Sequence, residues 1–133
     1  MPDLVQLLFP APALVRTPGR LLRWWESRRL AYNVAVGAAG LVTVSYFTLL
    51  SHLPGPMHGA PIPMSLIVVY GVLANVTYSF GWLVESALQR WLRRDTYGLG
   101  PALFRHGLVF SVGLTLFPAA LGTLAWIAGI LFH

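Results

Sequence analysis

The chain has 133 residues, of which 56% are hydrophobic and only 10% are charged, and its formal net charge is +5. Soluble domains carry roughly 25% charged residues, so this composition excludes an ordinary soluble fold, while the length fits a single domain. The sequence contains no cysteine, which excludes disulfides, thiolate catalysis and cysteine-based metal sites.

All nine cationic residues are arginines, and they form two blocks beside apolar segments. Between Arg29 and Glu85 no residue carries a formal charge. The positive-inside rule predicts that both blocks lie on the cytoplasmic face of a membrane, with the N-terminus cytoplasmic and the C-terminus periplasmic or extracellular. We expect contacts with anionic lipid headgroups, rather than with nucleic acid, from Arg20, Arg23, Arg28, Arg29, Arg90, Arg93, Arg94 and Arg105.

The first predicted element is an N-terminal cytoplasmic or interfacial segment over residues 1–29. Thr17 and Pro18 are typical of a helix start, with a hydroxyl at the cap and proline at the first helical position. Tryptophans and arginines are mixed in the residues that follow, and both residue types favour the level of the lipid headgroups. We therefore predict an interfacial helix ahead of the first transmembrane span.

A transmembrane domain over residues 30–133 is predicted to contain three helices, at 30–50, 62–84 and 107–132. Each has the roughly 20 apolar residues that cross a hydrocarbon core about 30 Å thick. The stretch 51–61 is rich in proline and glycine and lacks arginine, which is typical of an outer loop. We expect the second helix to continue to Arg94 and Pro118 to kink the third. The predicted fold is thus an all-α integral membrane protein.

Four polar side chains are candidates for a role inside the membrane: Asn33, Asn75, Ser79 and Glu85. Asn75 shares one helical face with Gly71 and Ser79. Because an amide in hydrocarbon needs a partner, this face is predicted to be buried against another helix. It serves either a substrate or proton path or only the packing of helices. One interpretation of Glu85 is that its carboxylate faces a cavity and has a proton-coupled role. The other is an ion pair with Arg28, Arg29 or Arg105.

Small residues recur along the predicted spans and allow helix backbones to approach each other closely. We expect helix contacts, within the chain or against another subunit, at Gly37, Gly40, Gly71, Gly122 and Gly129. The sequence has no histidine spacing typical of metal sites, no serine-nucleophile motif and no phosphate loop. It therefore predicts no metal, no cofactor and no catalytic residue, and it favours a function other than an enzymatic one.

Two segments carry a resemblance: residues 25–33 (Trp-Glu-Ser-Arg-Arg-Leu-Ala-Tyr-Asn) and residues 74–78 (Ala-Asn-Val-Thr-Tyr). Together they resemble a pattern in small uncharacterised bacterial inner-membrane proteins. The resemblance covers the start of the first predicted span and the middle of the second, and it brings no assigned activity. It implies the bacterial inner membrane as the location, and a link between Asn33 and Asn75 in the architecture.

Three functions from different classes fit these features. The favoured one is an accessory, assembly or regulatory subunit of a membrane complex, because small residues at helix contacts and little soluble mass indicate action through interactions. Its partners are the lipid bilayer and either further copies of the chain or a larger membrane protein. The alternative is a homo-oligomeric small transporter or channel with a path lined by Asn75, Ser79 and Glu85. A third, an enzyme acting on a lipid-linked substrate bound by Arg28, Arg29 and Arg105, lacks a base or nucleophile.

Overall fold

The fold is built from three long helices. The structure, a computed structural model, describes residues 5–6, 11, 17–55, 59, 62–92 and 98–132. In these residues no strand occurs, and the long helices are α1 (Pro18–His52), α2 (Met64–Leu92) and α3 (Leu99–Leu131). All three are long and apolar enough to cross a membrane. The prediction of an all-α fold with three helices suited to spanning a bilayer is confirmed.

The first helix differs from the prediction at its start. Residues 18–29, predicted as an interfacial helix ahead of the span, form the first turns of α1, and the helix continues without a break to His52. Pro18 occupies the first helical position, where a missing backbone N–H costs nothing. After Gly19 no glycine or proline occurs before Gly37, so nothing in the sequence ends the helix near Arg29. Most of residues 1–16 lie outside the described part.

The other two helices also extend beyond the predicted spans. The continuation of α2 past residue 84 is confirmed as far as Leu92. The third helix begins at Leu99 rather than at residue 107, because Gly98 takes a left-handed conformation (φ 95°) that L side chains rarely adopt and that starts a new helix cleanly. Pro118 lies inside α3, which continues through it to Leu131.

The most extensive interface joins α1 to α3, and hydroxyl groups lie along it. The Thr43 hydroxyl donates to the Thr115 carbonyl over 2.8 Å, and the hydroxyls of Tyr46 and Thr123 are hydrogen-bonded to each other. Such bonds satisfy polar groups that hydrocarbon cannot solvate. They tie α1 to α3 along the half of the bundle towards His52.

The core of the bundle is aromatic and lies towards the other end. Buried residues from all three helices form it: Leu21, Trp25, Tyr32, Val36, Tyr78, Phe104 and Leu108. The rings of Trp25, Tyr78 and Phe104 meet edge to face, with centroids 5.5 to 6.4 Å apart, which is the favoured geometry for aromatic pairs. This cluster positions the residues of the candidate site.

Candidate functional site

An open groove of about 600 Å³ runs along α2 beside α1. It is lined by Arg29, Val68, Gly71, Val72, Asn75, Val76 and Ser79. Gly71 is exposed, while Asn75 and Ser79 are half-buried. The polar face of α2 that was predicted to be buried against another helix is therefore open within the described part of the chain, and only Arg29 of α1 reaches over it.

Arg29 connects the two helices that border the groove. Its Nε and Nη2 donate to the carboxylate of Glu26 over 2.8 and 2.6 Å. Nη2 also donates to the Ser79 hydroxyl over 3.0 Å, and Nη1 donates to the Asn75 amide oxygen over 3.3 Å. The guanidinium group thus binds an anion on its own helix and two neutral acceptors on α2, which aligns α1 and α2 at this point.

These contacts place Asn75 and Ser79 beside the last arginine of the first block. Asn75 lies near the middle of the charge-free stretch of α2, which predicts a position deep in the membrane. Its partner Arg29 is the last arginine of the first block. Asn75 and Ser79 therefore lie towards the arginine-rich end of the bundle. The hydrogen bond from α1 to Asn75 comes from Arg29, one turn before Asn33.

Glu85 lies in the core and not in the groove. It is 3% exposed, and its Oε2 accepts a hydrogen bond of 2.8 Å from Nε1 of Trp25. The carboxylate packs against the first turn of α3, where a Cβ added to Gly100 would stand 2.7 Å from Oε2. The three residues proposed to line one path are therefore separated: Asn75 and Ser79 face the groove, and Glu85 faces α3.

Two of the three arginines predicted as ion-pair partners of Glu85 have other contacts. Arg29 is bonded to the three side chains named above. The guanidinium of Arg28 donates to the Trp24 carbonyl over 2.9 Å and lies 4.0 Å from the centroid of the Trp24 ring, a favourable cation–π arrangement. An ion pair between Glu85 and Arg105 stays a prediction.

The arginine-bearing ends of the three helices meet. Trp25 near the start of α1 donates a hydrogen bond to Glu85 near the end of α2. Glu85 in turn packs on Gly100 at the start of α3. The side chains of four predicted headgroup-binding residues are exposed at this end: Arg20, Arg23, Arg90 and Arg105. Arg93 and Arg94 lie outside the described residues. The described arginines of the two blocks, distant in the sequence, thus form one basic end of the bundle.

The glycines predicted at helix contacts divide into two groups. Gly122 is buried in α3, Gly129 is half-buried, and a Cβ added to Gly40 would lie 3.9 Å from the Thr115 methyl group. Gly37 and Gly71 are exposed, and a Cβ at either position would meet nothing within 4 Å. The first group lies in or near packing within the chain, whereas the second faces outward.

Trp25 was not among the residues predicted for a site, although it supplies the hydrogen bond to Glu85. The hydroxyl of Tyr78 donates in turn to the Trp25 carbonyl over 2.5 Å. A sequence signal exists, because Trp25, Tyr32 and Ala39 recur every seven residues on the face of α1 that the structure buries. Tryptophan and tyrosine near the ends of transmembrane helices more often lie at the membrane interface. The seven-residue spacing of Trp25 and Tyr32 was therefore not interpreted as a buried face.

The histidines do not converge in the described part of the chain. Nδ1 of His52 is hydrogen-bonded to the Thr48 carbonyl near the end of α1, and Nδ1 of His106 to the Ala102 carbonyl near the start of α3. Among the residues described, no group of three or more His, Asp or Glu side chains is placed to hold a metal ion. His58 and His133 lie outside them.

No protein-family model, curated protein or solved structure matches this chain. The resemblance of residues 25–33 and 74–78 to small bacterial inner-membrane proteins therefore stays a prediction. Three features of the bundle bear on its function: the groove, the buried carboxylate of Glu85 and the exposed face of α2.

Proposed function

We propose that this chain is a small membrane protein that acts through interactions, as an accessory, assembly or regulatory subunit of a larger membrane complex. The observation that carries this proposal is the exposure of α2. Only 6% of the most apolar 18-residue stretch of α2 is buried, against 22% in each of the other two helices. A middle helix with so little cover inside its own chain has a free face for a partner helix.

The free face of α2 has a regular apolar ridge, which we call the α2 ridge: Leu66, Val69, Leu73, Phe80 and Leu83. Each of these side chains is between 44% and 59% exposed. Spacings of three, four and seven residues place them on one side of the helix, as in the contact seam of a left-handed helix pair. Partner helices in membranes associate through such close van der Waals packing. The α2 ridge is the surface on which we place the partner contact.

The location we propose is the bacterial inner membrane, with the basic end of the bundle on the cytoplasmic side. Support comes from the meeting of both arginine blocks at that end, since the positive-inside rule then acts on all three helices in the same direction. Anionic headgroups of that leaflet would balance the arginines, each contributing about 1 kcal/mol near the surface.

The experiment is purification from membranes in a mild detergent at native expression level, followed by native mass spectrometry and identification of co-purifying proteins. We expect a stoichiometric larger partner. Phe80→Ala is expected to lower the share of complexed chain about fivefold or more, the effect of a contact aromatic worth over about 1 kcal/mol. The matched control is Phe117→Ala on α3, since Phe117 is 54% exposed and Phe80 57%; it leaves the complex intact.

Two results contradict the proposal. One is a chain that purifies as a monomer from native membranes without any protein partner. The other is equal loss of the complex in Phe80→Ala and Phe117→Ala, because the α2 ridge would then have no special part in it. A homo-oligomer without another protein would favour the transporter alternative. The next measurement is then the flux of the wild type against that of the Asn75→Leu variant, in which the groove is altered.

A further inference from the structure

The groove beside Arg29 offers hydrogen-bond donors that the described residues do not use. A guanidinium group has five N–H donors, and the bonds to Glu26, Asn75 and Ser79 occupy four of them. Within the described part of the chain, one N–H on Nη1 has no acceptor. The Asn75 amide uses one of its two N–H groups on the Gly71 carbonyl at 3.1 Å, and the other has no partner among the described residues. The groove can therefore donate hydrogen bonds to a ligand that carries acceptor atoms.

The rest of the groove is apolar. Val68, Val72 and Val76 line it together with Gly71, whose missing side chain keeps it open. From Val68 to Ser79 the helix rises about 16 Å at 1.5 Å per residue. One leaflet of the hydrocarbon core is about 15 Å thick. The part of the groove from Val68 to Asn75 spans about 10 Å of that rise, so it accommodates about two thirds of one acyl chain, with the donors towards the arginine-rich end.

We infer that this groove binds one anionic phospholipid. Its phosphate and ester carbonyl oxygens accept hydrogen bonds from Arg29 and Asn75, and one of its acyl chains lies along the three valines. The site uses a face of α2 adjacent to the α2 ridge, so the inference stands whether or not a protein partner binds there.

Charge and hydrogen-bond complementarity favour a lipid over a partner helix as the occupant. The described residues of the basic end include six arginines and two glutamates, a surplus of positive charge that attracts an anionic headgroup. A transmembrane helix has already bonded its own carbonyls internally, so it would need an acceptor side chain at the right depth. A phospholipid brings acceptors and an acyl chain in one molecule, and the groove presents donors and valines side by side.

The test is native mass spectrometry of the full chain taken from vesicles of equal parts phosphatidylglycerol and phosphatidylcholine. We expect one retained phosphatidylglycerol per chain, in preference to phosphatidylcholine. Gly71→Leu fills the groove without a clash inside the chain and should lower retention about tenfold, as a loss of about 1.4 kcal/mol gives. The control is Gly113→Leu on α3, where an added Cβ also meets nothing within 4 Å; its retention should equal that of the wild type.

Val72→Phe, a second groove-filling change, gives an independent reading, and circular dichroism checks that each variant keeps its helices. Millimolar inorganic phosphate, which lacks an acyl chain, should leave the lipid in place. The inference is wrong if Gly71→Leu retains as much lipid as Gly113→Leu, if both lipids are retained equally, or if inorganic phosphate displaces the bound lipid. It is also wrong if the wild type is a lipid-free oligomer that Gly71→Leu converts to monomers.

Discussion

Glu85 is accommodated in the aromatic core because two neighbouring positions have no side chain. Gly81, one turn earlier on α2, lies under the ring of Trp25, so an added Cβ would be 2.5 Å from the nearest ring carbon. Gly100 on α3 gives the carboxylate its room, as a Cβ there would be 2.7 Å from Oε2. The same two glycines let the indole N–H reach the carboxylate. Burying a carboxylate away from water costs free energy. Side chains larger than hydrogen at these two positions would disturb its hydrogen bond to Trp25.

Gly100→Ala is therefore expected to lower the free energy of unfolding by about 1–3 kcal/mol, the usual effect of overpacking a core. Gly107→Ala on the same helix is the matched control, because its Cβ would meet nothing within 4 Å and alanine favours helix. The measurement is unfolding in mixed micelles by circular dichroism. Equal stability of the two variants would show that Glu85 does not pack on α3 as described.

At the scale of the helices, tyrosine and hydroxyl side chains hold α2 to the α1–α3 pair. The Tyr32 hydroxyl of α1 lies 2.9 Å from the Ser111 hydroxyl and 3.2 Å from the Ala74 carbonyl, and its single O–H is shared between these two oxygens. Tyr70 of α2 is hydrogen-bonded to the Thr115 hydroxyl at 2.6 Å. The bonds of Tyr32 to Ala74 and of Tyr70 to Thr115, together with the Arg29 contacts, add to the packing of Tyr78 and Glu85 in attaching α2. Hydrogen bonds of this kind are modest individually and cumulative along a helix.

A double-mutant cycle of Tyr32→Phe and Ser111→Ala tests the bond between α1 and α3. Both changes keep the packing volume and remove one hydroxyl each. We expect a coupling free energy of about 0.6 kcal/mol and at most about 1.7 kcal/mol, the range found for such bonds within membranes. The readout is the same micelle unfolding transition. Additive effects, with no coupling, would mean that the two hydroxyls do not interact in the folded protein.

At the scale of the whole molecule, the three helices share one basic end. The chain has no native cysteine, so single cysteines report the side of the membrane on which they lie. Gly19→Cys marks the basic end, and Leu53→Cys marks the other end of α1; both positions are exposed. In intact cells we expect a membrane-impermeant maleimide to label Leu53→Cys, and to label Gly19→Cys only after permeabilisation. Labelling in the reverse pattern would contradict the proposed orientation.

Length, hydrophobicity and charge are local properties of the chain, so the sequence alone predicted three apolar helices and grouped the arginines at their ends. The continuation of α2 to Leu92 was predictable for the same reason, since helical spacing persists there. Helix starts were less predictable. Gly98 shows why, because a glycine tolerates both helical and left-handed conformations, and the structure shows that Gly98 takes the left-handed one at the start of α3.

The candidate site depended on contacts between helices, and no local pattern reports these. Sequence grouped Asn75, Ser79 and Glu85 as one polar path, whereas the rotation of α2 in the bundle places Glu85 against α3 and leaves Asn75 and Ser79 beside the groove. The contacts that go with this rotation come from other helices: Arg29 of α1 binds Asn75 and Ser79, and Trp25 of α1 and Gly100 of α3 contact Glu85. The sequence by itself determined that the chain is suited to a membrane, and tertiary packing decided which of its polar groups are buried and which remain free to bind.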